Sequence, residues 1–512
     1  MGLPRLIITG SSGLVGRHLV ETLRDRARIF GIARRSQPRC GVSPHPNLTW
    51  FQADIGEEPQ VKGVFEQVAA LGGADVVIHL AAHHDQAGEG SDEYWRTNVL
   101  GLRNVLDQCV GLHIKHFILA SAVAACRPAA VGETITETTA PLAEHVFGRT
   151  KGAGEQMLGD YYQYFRCVVV RFAALFSDWC ENPPLSVLLQ TWLSEAWNRR
   201  LLGGRGRSAK PYLHVHDAVA FLEQVLDGAD LLEQGEVLLA SPDGCVSHRE
   251  LFGAVHVAFG GQRPDPVFVP RALCGAGLLV RDLAGRLTGE RPFERPWMAR
   301  YIDTQMPVDA ARTRQRLDWA PRPRLAVLRR MPFLVENLKT DPVEWNRRNR
   351  EAMRVVSVPV NLKIHWLLER HESEIVDEFN RLLTQPATRD RFAHYQDFTA
   401  EQHGWHHRMV LRQLVNSVRT RERGIFIAYC RDLAQRRLAQ GFDSNELYGA
   451  LELLNLVCFR VLRRDPGSKP LRRDIYDYVT TTLKLGCDQA QEVFEQHEAE
   501  EKRRARRATL VQ

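Results

Sequence analysis

The apolar run Leu6-Ile7-Ile8-Thr9 leads without a break into Gly10-Ser11-Ser12-Gly13-Leu14-Val15-Gly16, and a helical pattern of Leu19, Val20 and Leu23 begins at once. A strand that ends in glycines spaced three apart and turns directly into a helix predicts a βαβ unit built to hold a dinucleotide. Gly10 permits the tight turn, Gly13 lets the backbone approach a pyrophosphate, and Gly16 lets the helix pack closely on the strand. The helix start adds unpaired N–H groups and the positive end of its dipole. Thr9, Gly10, Ser12, Gly13, Leu14, Val15 and Gly16 are therefore the first candidate cofactor-binding residues.

The N-terminal region keeps that rhythm. Strands are predicted over Arg5–Thr9, Arg28–Ala33, Leu48–Gln52, Asp75–Leu80, His116–Ser121 and Cys167–Phe172, and a helical or polar stretch follows each of the first five. This alternation predicts an α/β fold, a doubly wound parallel sheet covered by helices. Residues 176–335 are less regular. Beyond residue 355 the pattern is almost purely helical, which predicts an all-α bundle. Between them, Asp341-Pro342 and the basic string Asn346-Arg347-Arg348-Asn349-Arg350 read as a surface joint. The expected organisation is a nucleotide-binding domain with a small substrate-binding region over 1–338, a linker over 339–358, a helical bundle over 359–497 and a charged tail over 498–512.

The chain has 512 residues, 44% hydrophobic and 25% charged. That balance excludes a disordered, collagen-like or disulfide-scaffold protein. It contains no apolar run long enough to predict a membrane span. Lys plus Arg is 67 against 61 for Asp plus Glu, a net charge of +6 that is too small an excess to argue for nucleic acid. The ten cysteines are scattered, none in CxxC spacing, and read as buried free thiols in a reducing cytosol. The N-terminus lacks a basic-then-apolar leader, so the expected location is cytoplasmic.

The second strand ends in Ile32-Ala33-Arg34-Arg35. An acidic residue there would accept hydrogen bonds from a ribose 2′-hydroxyl, as in NAD binding, whereas guanidinium groups suit a 2′-phosphate. NADP is the expected cofactor and NAD the alternative; two solvated loop arginines are the plain reading. Asp54, next to Ile55 after the third strand, suits either an adenine amino group or a simple turn.

With the glycine loop and Asp54-Ile55 go Ile78-His79-Leu80-Ala81-Ala82, Thr97-Asn98-Val99-Leu100-Gly101, Pro211-Tyr212-Leu213-His214-Val215-His216-Asp217-Ala218, and Val308-Asp309 with Arg312 through Trp319 and Pro321. On these motifs the segment from residue 1 to 338 resembles the extended short-chain dehydrogenase/reductases of the epimerase/dehydratase group. The resemblance implies a Rossmann-type fold and an NAD(P)-dependent oxidoreductase or epimerase acting on a small molecule. It places Leu80, Ala81 and Ala82 on the nicotinamide side, and Asn98 as a residue that orders the active site.

The chemistry of that group rests on Tyr-x-x-x-Lys with a nearby Ser or Thr. Residues i and i+4 share a helix face, so the ammonium can lower the tyrosine pKa and hold the ribose. The tyrosine then passes a proton to or from the substrate oxygen. Here the matching stretch is His145-Val146-Phe147-Gly148-Arg149-Thr150-Lys151: the lysine is present and the tyrosine position is Phe147. The Ser/Thr position falls on Ala122, with Ser121 one place earlier and pointing differently in a strand. Either other groups carry the chemistry, or the domain binds nucleotide without turnover. Lys151 keeps its ribose role in both cases. His83 and His84 rank first as substitute acids, Ser121 remains a candidate hydroxyl, and Tyr94 lies in the following helix region. His145, two residues from Phe147, faces about 200° away if both are helical. Ordinary structural roles compete with each of these.

The loop Phe176–Pro184 and a helix bearing Trp192 and Trp197 are expected to form an aromatic lid over a bulky or apolar ligand, or else a small capped core. Leu202-Gly203-Gly204-Arg205-Gly206-Arg207 could hold an anionic group. In the helical region, Gly441 can end one helix and Asp443 cap the next, with Glu446 at the capping-box offset. The stretch Ala434–Asp443, continuing through Glu446-Leu447 and Ala450-Leu451, resembles helical sensor domains of the RsbT co-antagonist (RsbRD) type. That resemblance implies a regulatory, often dimeric module with a protein partner. His403 and His407 stand at i and i+4, a spacing open to zinc, but no third ligand is set by the sequence; an exposed polar face is expected and no metal.

Overall fold

The computed structural model describes residues 3–85, 92–288, 292–353 and 360–511. Seven parallel strands form its main sheet: β1 (Arg5–Thr9), β2 (Arg28–Ala33), β3 (Leu48–Gln52), β4 (Val76–His79), β5 (His116–Ala122), β6 (Arg166–Phe172) and β7 (Glu236–Ala240), in the order β7-β6-β5-β4-β1-β2-β3. Successive side chains of a strand point to opposite faces, and both faces are covered. Leu6 and Ile8 pack with the helices Leu14–Leu23 and Val215–Asp227. Ile7, between them, packs on the other face with Glu58–Ala70 and Gly101–Leu112. Burial on both faces is why these strands read as unbroken apolar runs. The order reverses between β1 and β4, so the loops leaving their C-terminal ends part and open a crevice.

The chain divides into two compact units, Met1–Val356 and Ser357–Gln512. In the first, a satellite core gathers Phe176, Trp192, Phe252, Met331, Leu334 and Trp345. Trp345 corrects the expected linker over 339–358, because residues 342–353 form a helix, Pro342–Met353, and its tryptophan is fully buried. Asn349, one turn on, donates to the Trp179 carbonyl at 2.8 Å. The basic string hides this inward face: Arg347 and Arg348 pair with Glu344 on the outside, at 2.5 and 2.7 Å. Residues 354–359 lie outside the described residues, as does Gln512 of the tail.

The second unit is helical, with long helices at Ala400–Thr420, Arg423–Ala439, Ser444–Arg464 and Thr482–Val511. Its own core runs from Ile364 to Phe494. Gly441 takes a φ of +86°, and Asp443 with Glu446 makes the capping box that opens the next helix. His403 and His407 are not on an exposed face. Both are buried, against Phe398 and Phe379 respectively, because the helix turns them toward the aromatic side of the core. Among the described residues no three His, Cys, Asp or Glu side chains converge as a metal site.

Candidate functional site

The crevice holds a cavity of about 1610 Å³ that runs from the glycine loop to an apolar chamber. Gly10 sits at φ +71°, and a Cβ there would lie 2.7 Å from the Ala81 nitrogen. Gly16 faces the Gly10 carbonyl so closely that no side chain fits between them. The helix Leu14–Leu23 starts at Gly13 with no side chain capping it. Its first N–H groups are thus left for an anion, which is what a pyrophosphate needs. Ser12, Gly13, Leu14, Val15, Arg34, Arg35, Ile55, Leu80, Ala81, Ala82 and Lys151 all line the same cavity. The donor set and the cleared backbone fit a nicotinamide dinucleotide.

Two expected cofactor residues act behind the wall instead. Thr9 is buried, and its Oγ1 lies 3.1 Å from His79 Nδ1 and accepts from the Ala81 nitrogen at 3.2 Å, tying β1 to β4. Asp54 is fully buried as well. It accepts from the Arg96 guanidinium at 2.7 Å and from the Gly56 nitrogen at 2.9 Å, so the turn role holds and the adenine contact does not. Of the two arginines, Arg34 pairs with Glu93 at 3.1 Å. Arg35 lies across the glycine loop, with Nε donating to Ser12 Oγ at 3.3 Å and a second donor on the Ser12 carbonyl.

At the catalytic position of the group, the Phe147 ring lies nearly parallel to two imidazoles, His84 at 4.0 Å between centroids and His145 at 6.4 Å. His145 does not face away as a helical residue would. It is the N-cap of helix Val146–Met157, with extended backbone, and its ring accepts from the Gly148 nitrogen at 3.1 Å. Burial pushes His84 down to about 3 and His145 to about 4, and the Lys210 charge lowers both further. Both rings are neutral at neutral pH, so neither serves as an imidazolium acid. His83 is buried, edge-on to Tyr94 at 4.6 Å, and its Nε2 has no hydrogen-bond partner. The Tyr94 hydroxyl donates to Asp85 at 2.6 Å.

Asn98 holds this region together. Its Oδ1 accepts from the His83 nitrogen at 2.6 Å, while Nδ2 donates to the His83 carbonyl at 3.2 Å and to Thr150 Oγ1 at 3.0 Å. Lys151 Nζ donates to the Ala120 carbonyl at 2.7 Å, and burial lowers its pKa to about 8. Ser121, the candidate hydroxyl, lines the cavity but is engaged elsewhere. Its hydroxyl is committed to Glu155, which also grips Arg171 with contacts of 3.0 and 2.7 Å. A strand residue one place off points its side chain to the other face.

Sequence reasoning missed Tyr301 and Lys210, both of which line the cavity. The Tyr301 ring stands edge-on to His145 at 6.0 Å. Its hydroxyl is buried without a partner at hydrogen-bond geometry, the Arg300 guanidinium being near. Nothing local marks it, because it reaches the site from a turn of 3₁₀ helix, Pro296–Tyr301, far along the chain. The Gly203–Arg207 loop does hold an anion, but an internal one: the Arg205 and Arg207 nitrogens donate to the Asp303 carboxylate at 2.9 Å. The expected lid is split. Trp192 is buried at the end of helix Pro183–Leu193, whereas Trp197 lies beyond that helix and is exposed at the cavity.

A model of the NAD dependent epimerase/dehydratase family matches residues 6–240. The chain is similar to the 3 beta-hydroxysteroid dehydrogenase/Delta 5-->4-isomerase of Vaccinia virus, at 29% identity over 161 residues, 30% of this chain and 44% of that protein. It thus spans less than half the length of that relative. Among solved structures, a UDP-glucose 4-epimerase of Thermotoga maritima with UDP-glucose superposes with a TM-score of 0.51 at 17% identity, over 66% of this chain and 99% of that one. A dTDP-glucose 4,6-dehydratase of Bacillus anthracis in complex with NAD gives 0.51 at 15% identity, over 67% and 99%. At such identities these likenesses establish the fold alone. No helix among the described residues is long and apolar enough to cross a membrane. Glycine loop, sheet order and family match converge on one conclusion: residues 6–240 are a domain of the NAD dependent epimerase/dehydratase family.

Proposed function

We propose that the first unit is a nicotinamide-dinucleotide-dependent oxidoreductase for a bulky, apolar hydroxy or keto compound, with its proton donor moved from position 147 to Tyr301, across His145. The observation that carries this reading is the Tyr301 hydroxyl, buried beside His145 with the Arg300 guanidinium near it and no partner at hydrogen-bond geometry. When bound, the cofactor supplies the two-electron donor or acceptor. The N–H groups of Leu14 and Val15 hold its pyrophosphate, Arg35 and Arg34 its 2′-phosphate, and Lys151 its nicotinamide ribose. Tyr301 gives a proton to the substrate oxygen or takes one from it, and the neutral His145 ring shields that hydroxyl from water. The far chamber, walled by Val187, Leu188, Trp192 and Met298, excludes water around an apolar ring system. The hydroxysteroid in the viral relative's name has that character.

The test is NADPH-dependent reduction of a panel of cyclic ketones, hydroxysteroid precursors included. Tyr301→Phe should lower the rate by about 10²–10⁴, the usual worth of a positioned acid, and leave dinucleotide affinity unchanged. An unaltered rate refutes the assignment.

A second reading is favoured by Phe147 itself. With Ala122 beside it, the ordinary proton relay is gone, and the unit would bind NADP(H) without turnover as a redox sensor. The helical unit, similar to the RsbT co-antagonist type, would then pass the signal to a protein partner, the chain working as a homodimer. In that case the wild type binds dinucleotide but reduces nothing, and Phe147→Tyr with Ala122→Ser creates turnover.

A further inference from the structure

The helix Arg271–Thr288 follows directly on strand Val267–Val269. Leu273, Leu279, Val280, Leu283 and Leu287 are all exposed on it, Leu287 at 90%. At 100° per residue these five fall within an arc of about 120°, and Arg281 and Arg286 flank that arc. The helix has one acid, Asp282, which is buried on the opposite side and bonded to Arg286 at 2.9 Å. Among its described side chains, every exposed one is apolar or an arginine. Leu273 and Val280 also line the cavity, as does exposed Trp197, so the cavity mouth is rimmed by apolar side chains of the same surface.

We propose that this helix lies in the surface of an anionic lipid bilayer and opens the cavity mouth to it, so that an apolar substrate enters from the membrane. The docking stands on the helix alone; the entry route rests on the apolar-substrate reading above. An apolar arc bordered by arginines is how a helix settles at the boundary of headgroups and acyl chains, where each arginine near an anionic surface contributes about 1 kcal/mol. A second copy of the chain fits this face less well. Symmetric pairing would bring Arg281 and Arg286 of both copies together, and the acids that meet them, Glu294 at 3.6 Å and buried Asp282 at 2.9 Å, belong to the same copy and offer the other none on this face.

Flotation of the full chain with phosphatidylcholine vesicles, with and without phosphatidylglycerol, tests the docking. The wild type should float with the mixed vesicles. Leu283→Asp with Leu287→Asp should cut the bound fraction at least tenfold, while Leu231→Asp, an exposed leucine elsewhere, leaves it unchanged. Arg281→Gln should weaken binding to the mixed vesicles about fivefold and spare binding to the neutral ones. Dinucleotide titration of every variant reports folding independently, so loss of docking is separable from failure of the oxidoreductase reading. A wild type that binds dinucleotide but stays off both kinds of vesicle overturns the proposal. So does a lipid-free dimer that Leu283→Asp dissociates, which would assign the face to a second copy.

Discussion

Replacing Arg35 by alanine should remove most of the preference for NADP(H) over NAD(H), and replacing Arg34 should remove less. A charge-assisted hydrogen bond to a 2′-phosphate contributes about 1.5–3 kcal/mol, which is about ten- to a hundredfold in affinity. The structure divides that unequally. Arg34 already faces Glu93 at 3.1 Å, and the Arg96 guanidinium, with the Thr97 hydroxyl, holds the Glu93 carboxyl down at about 2, so it is fully charged. Part of the Arg34 charge is thereby spent inside the protein, and its contribution falls at the lower end of the range. Arg35 lies over Ser12, in the loop that meets the phosphates. Glu93→Gln should accordingly raise NADP(H) affinity several-fold by releasing Arg34. The assay is titration of both reduced cofactors by nucleotide fluorescence against wild type, Arg34→Ala, Arg35→Ala and Glu93→Gln. Equal wild-type affinities, or a ratio unchanged in Arg35→Ala, would refute the reasoning and leave Glu93 as an acceptor suited to a ribose hydroxyl.

Trp345→Ala should destabilise the first unit by about 3–5 kcal/mol, the usual cost of emptying a buried aromatic site, seen as a lower denaturation midpoint with weakened dinucleotide binding. A neutral effect would return residues 342–353 to the role of linker. A fragment of residues 357–512 should fold alone and melt cooperatively by circular dichroism, because its hydrophobic cluster draws on no residue before Val360. In that fragment, stability should fall on acidification. Burial depresses His407 to about 3 and His365 to about 4, so the unfolded chain takes up protons first, near pH 6.5. Stability is full above that pH and is lost below it at about 1.4 kcal/mol per pH unit for each group. Urea melts from pH 7 to pH 5 should show this, and an unchanged slope in His407→Gln would exclude that histidine as a source.

Periodicity and the strand–helix alternation locate six of the seven strands, because β1, β2, β4, β5 and β6 are apolar runs buried on both faces and the edge strand β3 is set off by turn residues. The edge strand β7 escaped, being reached from the irregular region after residue 176. At the site, the glycine loop is legible because the backbone geometry at Gly10 and Gly16 leaves no room for a side chain. Side-chain roles were less so. Asp54 has the right place for a ligand contact, yet Arg96, 42 positions on, claims its carboxylate. His145 does not follow helical spacing because the helix begins one residue later, at Val146, and His145 is its N-cap with extended backbone. Trp345 and Asn349 were hidden because the charged residues between them dominate the composition, while spacing of four puts just these two on the inner face.

The substitution at 147 also becomes intelligible from its surroundings. The segment that carries it is held by groups other than residue 147. His145 caps the helix, Asn98 grips Thr150, and Lys151 reaches the Ala120 carbonyl. Gly148 packs so tightly against the Ala124 carbonyl that the helix start has little room to shift. Exchanging tyrosine for phenylalanine in such a frame removes a hydroxyl and leaves the ring where it was, with His84 stacked on it. The wall around the glycine loop does not depend on a hydroxyl at 147, and Lys151, held to about 8 by burial, keeps its bond to the Ala120 carbonyl without one. On the oxidoreductase reading proposed above, the proton donor comes from another part of the chain, and Tyr301 is placed for it, its ring edge-on to His145 at 6.0 Å and its neighbour Arg300 paired with Glu144 at 3.7 Å.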